Sequence, residues 1–474
     1  MQQFNMTING KTPDSGVFVD IINPATGCGF AQCQSGNVEL LNQAVSAARD
    51  AFLPWSQTSS DHRKVKMQEL ATILESNMPE LMELITKETG KPMVGLNNVG
   101  SGMEVGGSIA WTQATAALEL GIDVVQDDNE ARIEVHRKPL GVIGSITPWN
   151  WPLMIAIWHI IPALRSGNTV VIKPSELTPL STLRFVELAN TILPAGVLNV
   201  VTGEGDVGAA LATHKGVNKI IFTGSTHTGK NIMASASGNL KRLTLELGGN
   251  DAGIVLPDID VKTVSAQLFG ACFHNNGQTC AALKRLYVHE SIYEDVCQEM
   301  ALLAKQVNVG NGLDEGVELG PIQNAKQLQC VIDLAENAKA SGGRILAGGK
   351  KVSGEGYFFE PTIVADLTNG SRLVDEEPFG PILPIISYSE IDDAIAKANQ
   401  NDAGLGGSIW SADIDKATAL AQRMECGSVW INTHGAIQPN VPFGGVKQSG
   451  FGVEFGLYGL EECTSIQALR IPKQ

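Results

Sequence analysis

The sequence predicts an α/β protein organised around doubly wound parallel sheets. Short, apolar, β-branched runs recur about every 25–30 residues from position 142 onward, the spacing that right-handed βαβ crossovers need. Between them lie stretches with apolar residues at three- and four-residue intervals, the period of an amphipathic helix. The chain has 474 residues, 43% hydrophobic and 18% charged. At about 150 residues per domain, that is material for about three globular domains.

Taken in order, residues 37–90 read as helix. "NVELLNQAVSAARDAFLPWSQ" and "KVKMQELATILESNMPELMELITKETG" both keep the helical apolar rhythm. Residues 123–137, "DVVQDDNEARIEVHR", alternate across a polar turn and read as a hairpin outside the main cores. Strands are then expected at 142–147, 169–172, 198–202 and 219–222. The helices between them fall at 152–165, 180–193 and 207–213, with another from about Thr228. This alternation is that of a doubly wound nucleotide-binding sheet. A second α/β stretch covers about 250–440, with strands expected at 253–256, 286–289, 383–387, 407–410 and 428–431.

Bulk properties exclude several classes. A net charge of -16 disfavours a nucleic-acid or anionic-membrane surface, since both attract basic patches. The amino terminus has no charged stretch followed by an apolar one, so no signal peptide is expected. The most membrane-like segment, 151–164, is interrupted by Pro152, His159 and Pro162 and is too short to span hydrocarbon; a buried helix is expected. The eight cysteines form no C-x-x-C pair and no zinc-like cluster, so no metal site is expected. Reduced thiols in a cytoplasmic protein are the expectation.

One loop poses a choice. "KIIFTGSTHTGKN", residues 219–231, runs from a β stretch into Gly224, Gly229 and Lys230, close to the phosphate loop of an NTPase. In such a loop the next residue supplies a hydroxyl to Mg²⁺, and here it is Asn231. The glycines also suit a sharp turn into a helix amino terminus facing a pyrophosphate. A position inside a βαβ series favours the dinucleotide reading.

Three further stretches carry chemistry. "FHNNGQTCAALK" places Cys280 beside the small residues Ala281 and Ala282, which leave a thiol accessible to backbone N–H groups that stabilise a thiolate or oxyanion. "LTLELGGNDA" carries Glu246 in an apolar strand, where a raised pKa suits a general base. "SITPWNWP" ends a strand at Asn150, whose amide can donate a hydrogen bond in a dry site. Each has a plain alternative: a core thiol, a solvated carboxylate, a helix cap.

Together these stretches resemble the NAD(P)-dependent aldehyde dehydrogenase superfamily, from about residue 20 to the carboxyl end. The resemblance implies two Rossmann-like domains plus a small β oligomerisation element. The NAD-binding domain would comprise 1–122 and 140–248 and the catalytic domain 249–445. Residues 123–139 and 456–474 would form a homodimer or homotetramer contact. It implies Cys280 as nucleophile, Glu246 as general base, Asn150 with the Cys280 N–H as oxyanion hole, and Glu454 as a second carboxylate relaying protons. Lys173 and Glu176 would contact the adenosine ribose, and Gly224, Ser225 and Gly229 would lie under the pyrophosphate. Glu377 and Phe379 would position the nicotinamide, with Thr147, Trp149 and Leu247 among the other cofactor positions. His227 falls on the rim of the cleft and receives no role. Glu176 favours NAD, because a carboxylate accepts from the 2′-hydroxyl and repels a 2′-phosphate; NADP is the alternative.

By the same match, Trp151, Ile155, Trp158, His274, Thr279, Ala281, Ile437 and Phe443 line an aldehyde tunnel, with His434 close by. The implied reaction oxidises an aldehyde to a carboxylate through a thiohemiacetal and a thioester. Relatives acting on dicarboxylic semialdehydes have Arg where this chain has His274. A hydroxylated, sugar-derived or aromatic aldehyde is therefore expected, with short-chain aldehydes or succinic semialdehyde as alternatives. A phosphate-loop NTPase and a thiol esterase or binding protein are the rivals from other classes. No G-x-S-x-G elbow supports a serine hydrolase.

Overall fold

A computed structural model describes residues 1–473. Its first large sheet runs, in spatial order, Gly450–Phe451, Arg242–Glu246, Lys219–Thr223, Val142–Ile146, Thr169–Lys173, Leu198–Val200. All neighbours are parallel except Gly450–Phe451, which returns from the tail to pair antiparallel with Arg242–Glu246. Every residue of Val142–Ile146, Thr169–Lys173 and Lys219–Thr223 is buried. Helices cover both faces of such a sheet, so its strands read as apolar runs without alternation.

The second sheet has the order Arg344–Ala347, Thr362–Ala365, Ile382–Tyr388, Leu283–His289, Asp251–Val255, Gly406–Trp410, Ser428–Ile431. Only the Arg344–Ala347 edge is antiparallel. The expected hairpin is present as Asp123–Asp127 and Ala131–Pro139, and Thr464–Pro472 joins it as a third antiparallel strand. A small sheet of Gln2–Phe4, Cys28–Gln34 and Phe18–Asn23 was not anticipated, because those strands are short and mixed in polarity.

Local chemistry explains the helix limits. The 37–90 region divides into Val38–Ser56, Ser60–Ser76 and Met78–Thr89. Asn37 and Ser59 cap the first two by accepting from the N–H groups of Leu40 and His62. Gly90, at φ 82°, ends the third in the left-handed region. The membrane-like stretch is the helix Pro152–Arg165, buried on nearly all sides. Among the described residues, no helix is long and apolar enough to cross a membrane. The helix expected over 180–193 stops at Ala189, because Asn190 turns its amide back to the carbonyls of Val186 and Leu198.

The carboxyl ends of the first sheet's strands, where open α/β sheets bind ligands, meet the amino ends of strands of the second sheet at one crevice region. Glu246 closes its strand there, Asn150 lies just beyond Val142–Ile146, and Cys280 precedes Leu283–His289.

Candidate active site

Asn150 sits in the short crossing between Ile146 and the helix that begins at Pro152. Two buried charges hold that crossing. Glu104 accepts from the N–H groups of Leu153 (3.0 Å) and Met154 (3.3 Å), capping the helix. Lys91 pairs with Glu104, donates to the Asn150 carbonyl at 2.8 Å and lies 3.5 Å from the centre of the Trp151 ring. Burial lowers the Lys91 pKa to about 8, against the pull of Glu104. The Asn150 amide donates to the Gln278 carbonyl at 2.9 Å, which fixes its plane and leaves its second N–H without a protein acceptor among the described residues.

Cys280 is delivered by a tight left-handed loop. Asn275 and Asn276 have φ 49° and 58°, a region asparagine tolerates better than most residues. Gly277 follows at φ 71°, and a Cβ there would lie 2.3 Å from the Gly380 carbonyl oxygen. The backbone N–H of Cys280 has no protein acceptor among the described residues. Burial pushes its thiol up to about 12, opposed by Lys284. The thiol form is therefore favoured at rest, and the attacking thiolate forms only on loss of that proton.

Glu246 is buried, and both carboxylate oxygens lack a hydrogen-bond partner. Burial first, and the Glu454 charge second, raise its pKa well above the usual carboxylate range. Glu454 is also buried, with Oε1 3.1 Å from His159 Nε2. His159 continues to Ser145 Oγ at 2.8 Å and Thr223 Oγ1 at 3.1 Å. The resting Glu246 carboxyl lines neither of the cavities beside Cys280. Its charge nevertheless contributes to raising the Cys280 pKa.

Those two cavities meet at Cys280. Cys280 is the one residue, among those described, that lines both. The first, of about 500 Å³, contains every residue expected in the tunnel: Trp151, Ile155, Trp158, His274, Thr279, Ala281, His434, Ile437 and Phe443. The structure adds Met103, Trp111 and Trp410, and no Lys, Arg, Asp or Glu lines it among the described residues. Trp111 lies 5.7 Å from Trp158, and Phe455 packs edge-on against both.

The second cavity, about 370 Å³, is lined by Trp149, Asn150, Gly224, Ser225, Leu247, Glu377 and Phe379. Phe379 meets the Trp149 ring edge-on at 5.2 Å. Thr147, Lys173, Glu176 and Gly229 lie outside its lining. Lys173 Nζ is 3.5 Å from the half-exposed Glu176 carboxylate. The helix Thr226–Ala236 has no acidic residue in its first turn and starts at this cavity, so its amino terminus favours an anion. These features fit a dinucleotide: aromatic and apolar walls, the half-buried Glu377 carboxylate and a helix amino terminus.

The strand ending at Thr223 passes through Gly224 and Ser225 into the helix that begins at Thr226. Neither Gly224 nor Gly229 has a positive φ; both are required for space. A Cβ on Gly224 would lie 2.5 Å from the Phe222 ring, and one on Gly229 2.5 Å from Leu247. Lys230 donates to Gln448 at the surface and does not line the cavity, unlike a phosphate-loop lysine. His227 is exposed beside Asn231.

A family model, that of the aldehyde dehydrogenase family, matches residues 11–469. The chain belongs to the aldehyde dehydrogenase family. A phenylacetaldehyde dehydrogenase of Pseudomonas fluorescens is 40% identical over 98% of this chain and 95% of its own. Among solved structures, an aldehyde dehydrogenase mutant of Bacillus cereus has a TM-score of 0.97 at 33% identity, covering all of this chain and 97% of its own. The betaine aldehyde dehydrogenase of Staphylococcus aureus, solved in complex with NAD+, has a TM-score of 0.95 at 33% identity over 99% of this chain and 94% of its own.

In this aldehyde dehydrogenase, several residues of the site were missed by sequence reasoning. Lys284 ties the Cys280 and Gly249 carbonyls to Glu377, so one ammonium joins the reactive loop to the wall of the second cavity. Its sequence context is an ordinary strand. His159 was read as an interruption of an apolar helix. A lone polar residue at the centre of an otherwise buried helix was the available signal, since such a group needs a partner.

Proposed function

We propose that this enzyme oxidises aromatic or arylalkyl aldehydes to carboxylates with NAD, using Cys280 as nucleophile. The placement of Cys280 at the meeting of the two cavities carries this reading. The aldehyde would enter the aromatic cavity and NAD the second one, held by Trp149, Leu247, Glu377, Phe379 and the helix start at Ser225.

The Cys280 thiol yields its proton to solvent, and the sulfur attacks the aldehyde carbon. The second N–H of Asn150 and the backbone N–H of Cys280 donate to the oxyanion. NAD, when bound, supplies the acceptor for the hydride that leaves this carbon. Water activated by Glu246 then hydrolyses the thioester, and Glu454 takes the proton onward. To act on that water, the Glu246 side chain swings from its resting position toward Cys280.

The aromatic substrate class rests on the walls of Trp111, Trp151, Trp158 and Phe443 and on the lack of a cation that would pair with a distal carboxylate. The phenylacetaldehyde dehydrogenase relative is consistent with it. The indole faces also support a second reading, a quaternary ammonium aldehyde held by cation–π attraction. A panel of phenylacetaldehyde, benzaldehyde, betaine aldehyde, lactaldehyde and succinic semialdehyde tests both. Highest kcat/KM on the aryl aldehydes is expected, and preference for succinic semialdehyde would overturn the reading.

NAD preference is assigned to Glu176. Glu176→Ser should raise the NADP-to-NAD ratio of kcat/KM by about 10-fold, by removing a repulsive charge near the 2′-phosphate. An unchanged ratio contradicts the assignment.

A homodimer or homotetramer is proposed for the assembly. The strand Thr464–Pro472 leaves one edge unpaired among the described residues, with Ile466 70% exposed. Light scattering should give a multiple of the 50.3 kDa chain mass; a monomer at micromolar concentration would contradict it.

A further inference from the structure

We propose that His274 is a fixed hydrogen-bond acceptor in the wall of the aldehyde cavity, selecting substrates that carry a hydroxyl on an otherwise flat, apolar body. This inference rests on the aryl aldehyde reading above and names the group that the cavity recognises.

The tautomer follows from one contact. His274 terminates the helix Val261–Phe273, and its Nδ1 lies 2.9 Å from the Gly270 carbonyl oxygen. A carbonyl only accepts, so Nδ1 carries the proton. Burial lowers the His274 pKa to about 4, so near neutral pH the ring has a single proton, already committed to Gly270. Nε2 is left with a lone pair. It has no protein donor among the described residues and is not among the sealed, unpartnered atoms of the interior. His274 is half-buried and lines the cavity.

Some neighbouring polar groups are engaged, whereas the indole N–H groups of Trp111 and Trp158 have no partner and can only donate. His434 Nδ1 lies 3.0 Å from Ser408 Oγ, whereas its Nε2, 3.3 Å from Asp251 Oδ2, makes no hydrogen bond. The Trp151 indole N–H donates to Thr279 Oγ1 at 3.1 Å. His274 Nε2 is thus an oriented acceptor in a wall dominated by tryptophan and aliphatic side chains. A ligand with no donor at that point strips the nitrogen of water and gives nothing back, whereas a hydroxyl satisfies it. Such asymmetry makes a buried polar group a strong discriminator.

The test compares wild type with His274→Phe on phenylacetaldehyde hydroxylated at each ring position and on the matching fluoro compounds. Fluorine is of similar size and cannot donate. In wild type, at least one position should give a hydroxy-to-fluoro ratio in kcat/KM of about 10, the worth of one hydrogen bond to an otherwise unpaired group. In His274→Phe the same ratio should fall to within about twofold of unity. His274→Leu should give the same collapse and serves if the larger ring prevents folding. Absence of a hydroxyl preference at every position, or its survival in the variants, overturns this inference and leaves the aryl aldehyde reading intact. Failure to oxidise any aryl aldehyde removes both.

Discussion

Cys280→Ala is expected to lower kcat for aldehyde oxidation by at least about 10⁴-fold, because it removes the atom that forms the covalent intermediate. NAD affinity, measured by calorimetry, should stay within about threefold of wild type, since one thiol is a small part of the second cavity's wall. The contrast between the two readouts is the informative part. A fold defect would weaken both, whereas loss of the nucleophile leaves binding in place. Retained turnover in the variant would refute the nucleophile assignment. Burial holds the wild-type thiol at about 12, so at neutral pH its proton has to be removed during the reaction.

Glu246→Gln should separate the two chemical steps. If Glu246 activates the hydrolytic water, the variant still forms acyl-enzyme but releases it slowly. A rapid burst of reduced cofactor, approaching one per active site, should precede steady turnover about 10²–10³-fold below wild type. Undiminished steady turnover would contradict the base role. Slow formation of the first equivalent would place Glu246 in thiol deprotonation as well. The pH profile adds a sign. Burial and the Glu454 charge raise the Glu246 pKa, and a base works only when ionised. Wild-type kcat should therefore rise with pH through a value above the ordinary carboxylate range of about 4. Glu454→Gln removes one raising cause, so the acid limb should move to lower pH. A limb unmoved by that substitution would show that the two carboxylates are not coupled in the working enzyme.

Much of this was legible in the sequence for a physical reason. Parallel strands buried on both faces must be apolar runs, so the strands at 142, 169 and 219 announced themselves, as did the helix Pro152–Arg165. The residues expected around Cys280 in the aldehyde cavity all line it, because they lie close in sequence to Cys280, Asn150 or Phe443. What stayed hidden depends on contacts between distant segments. Lys91 and Glu104 stabilise the Asn150 crossing from other parts of the chain, and Lys284 acts by reaching Glu377 across 93 positions. Gly229 looked like a turn residue because spacing reveals a missing side chain and not the reason for it. The reason is the Leu247 side chain, on another strand's exit. The raised Cys280 pKa was hidden in the same way: small neighbours indicate access, but burial is a property of the assembled fold.

The proposed mechanism turns on a thioester at Cys280. Its most direct test is acid quenching of wild type and Glu246→Gln, milliseconds after mixing with NAD and phenylacetaldehyde, followed by mass mapping of peptides. The Cys280 peptide should gain the mass of the aldehyde less two hydrogens, and it should persist longer in Glu246→Gln. An unmodified Cys280 peptide during active turnover, or an acyl group on another residue, would contradict the mechanism.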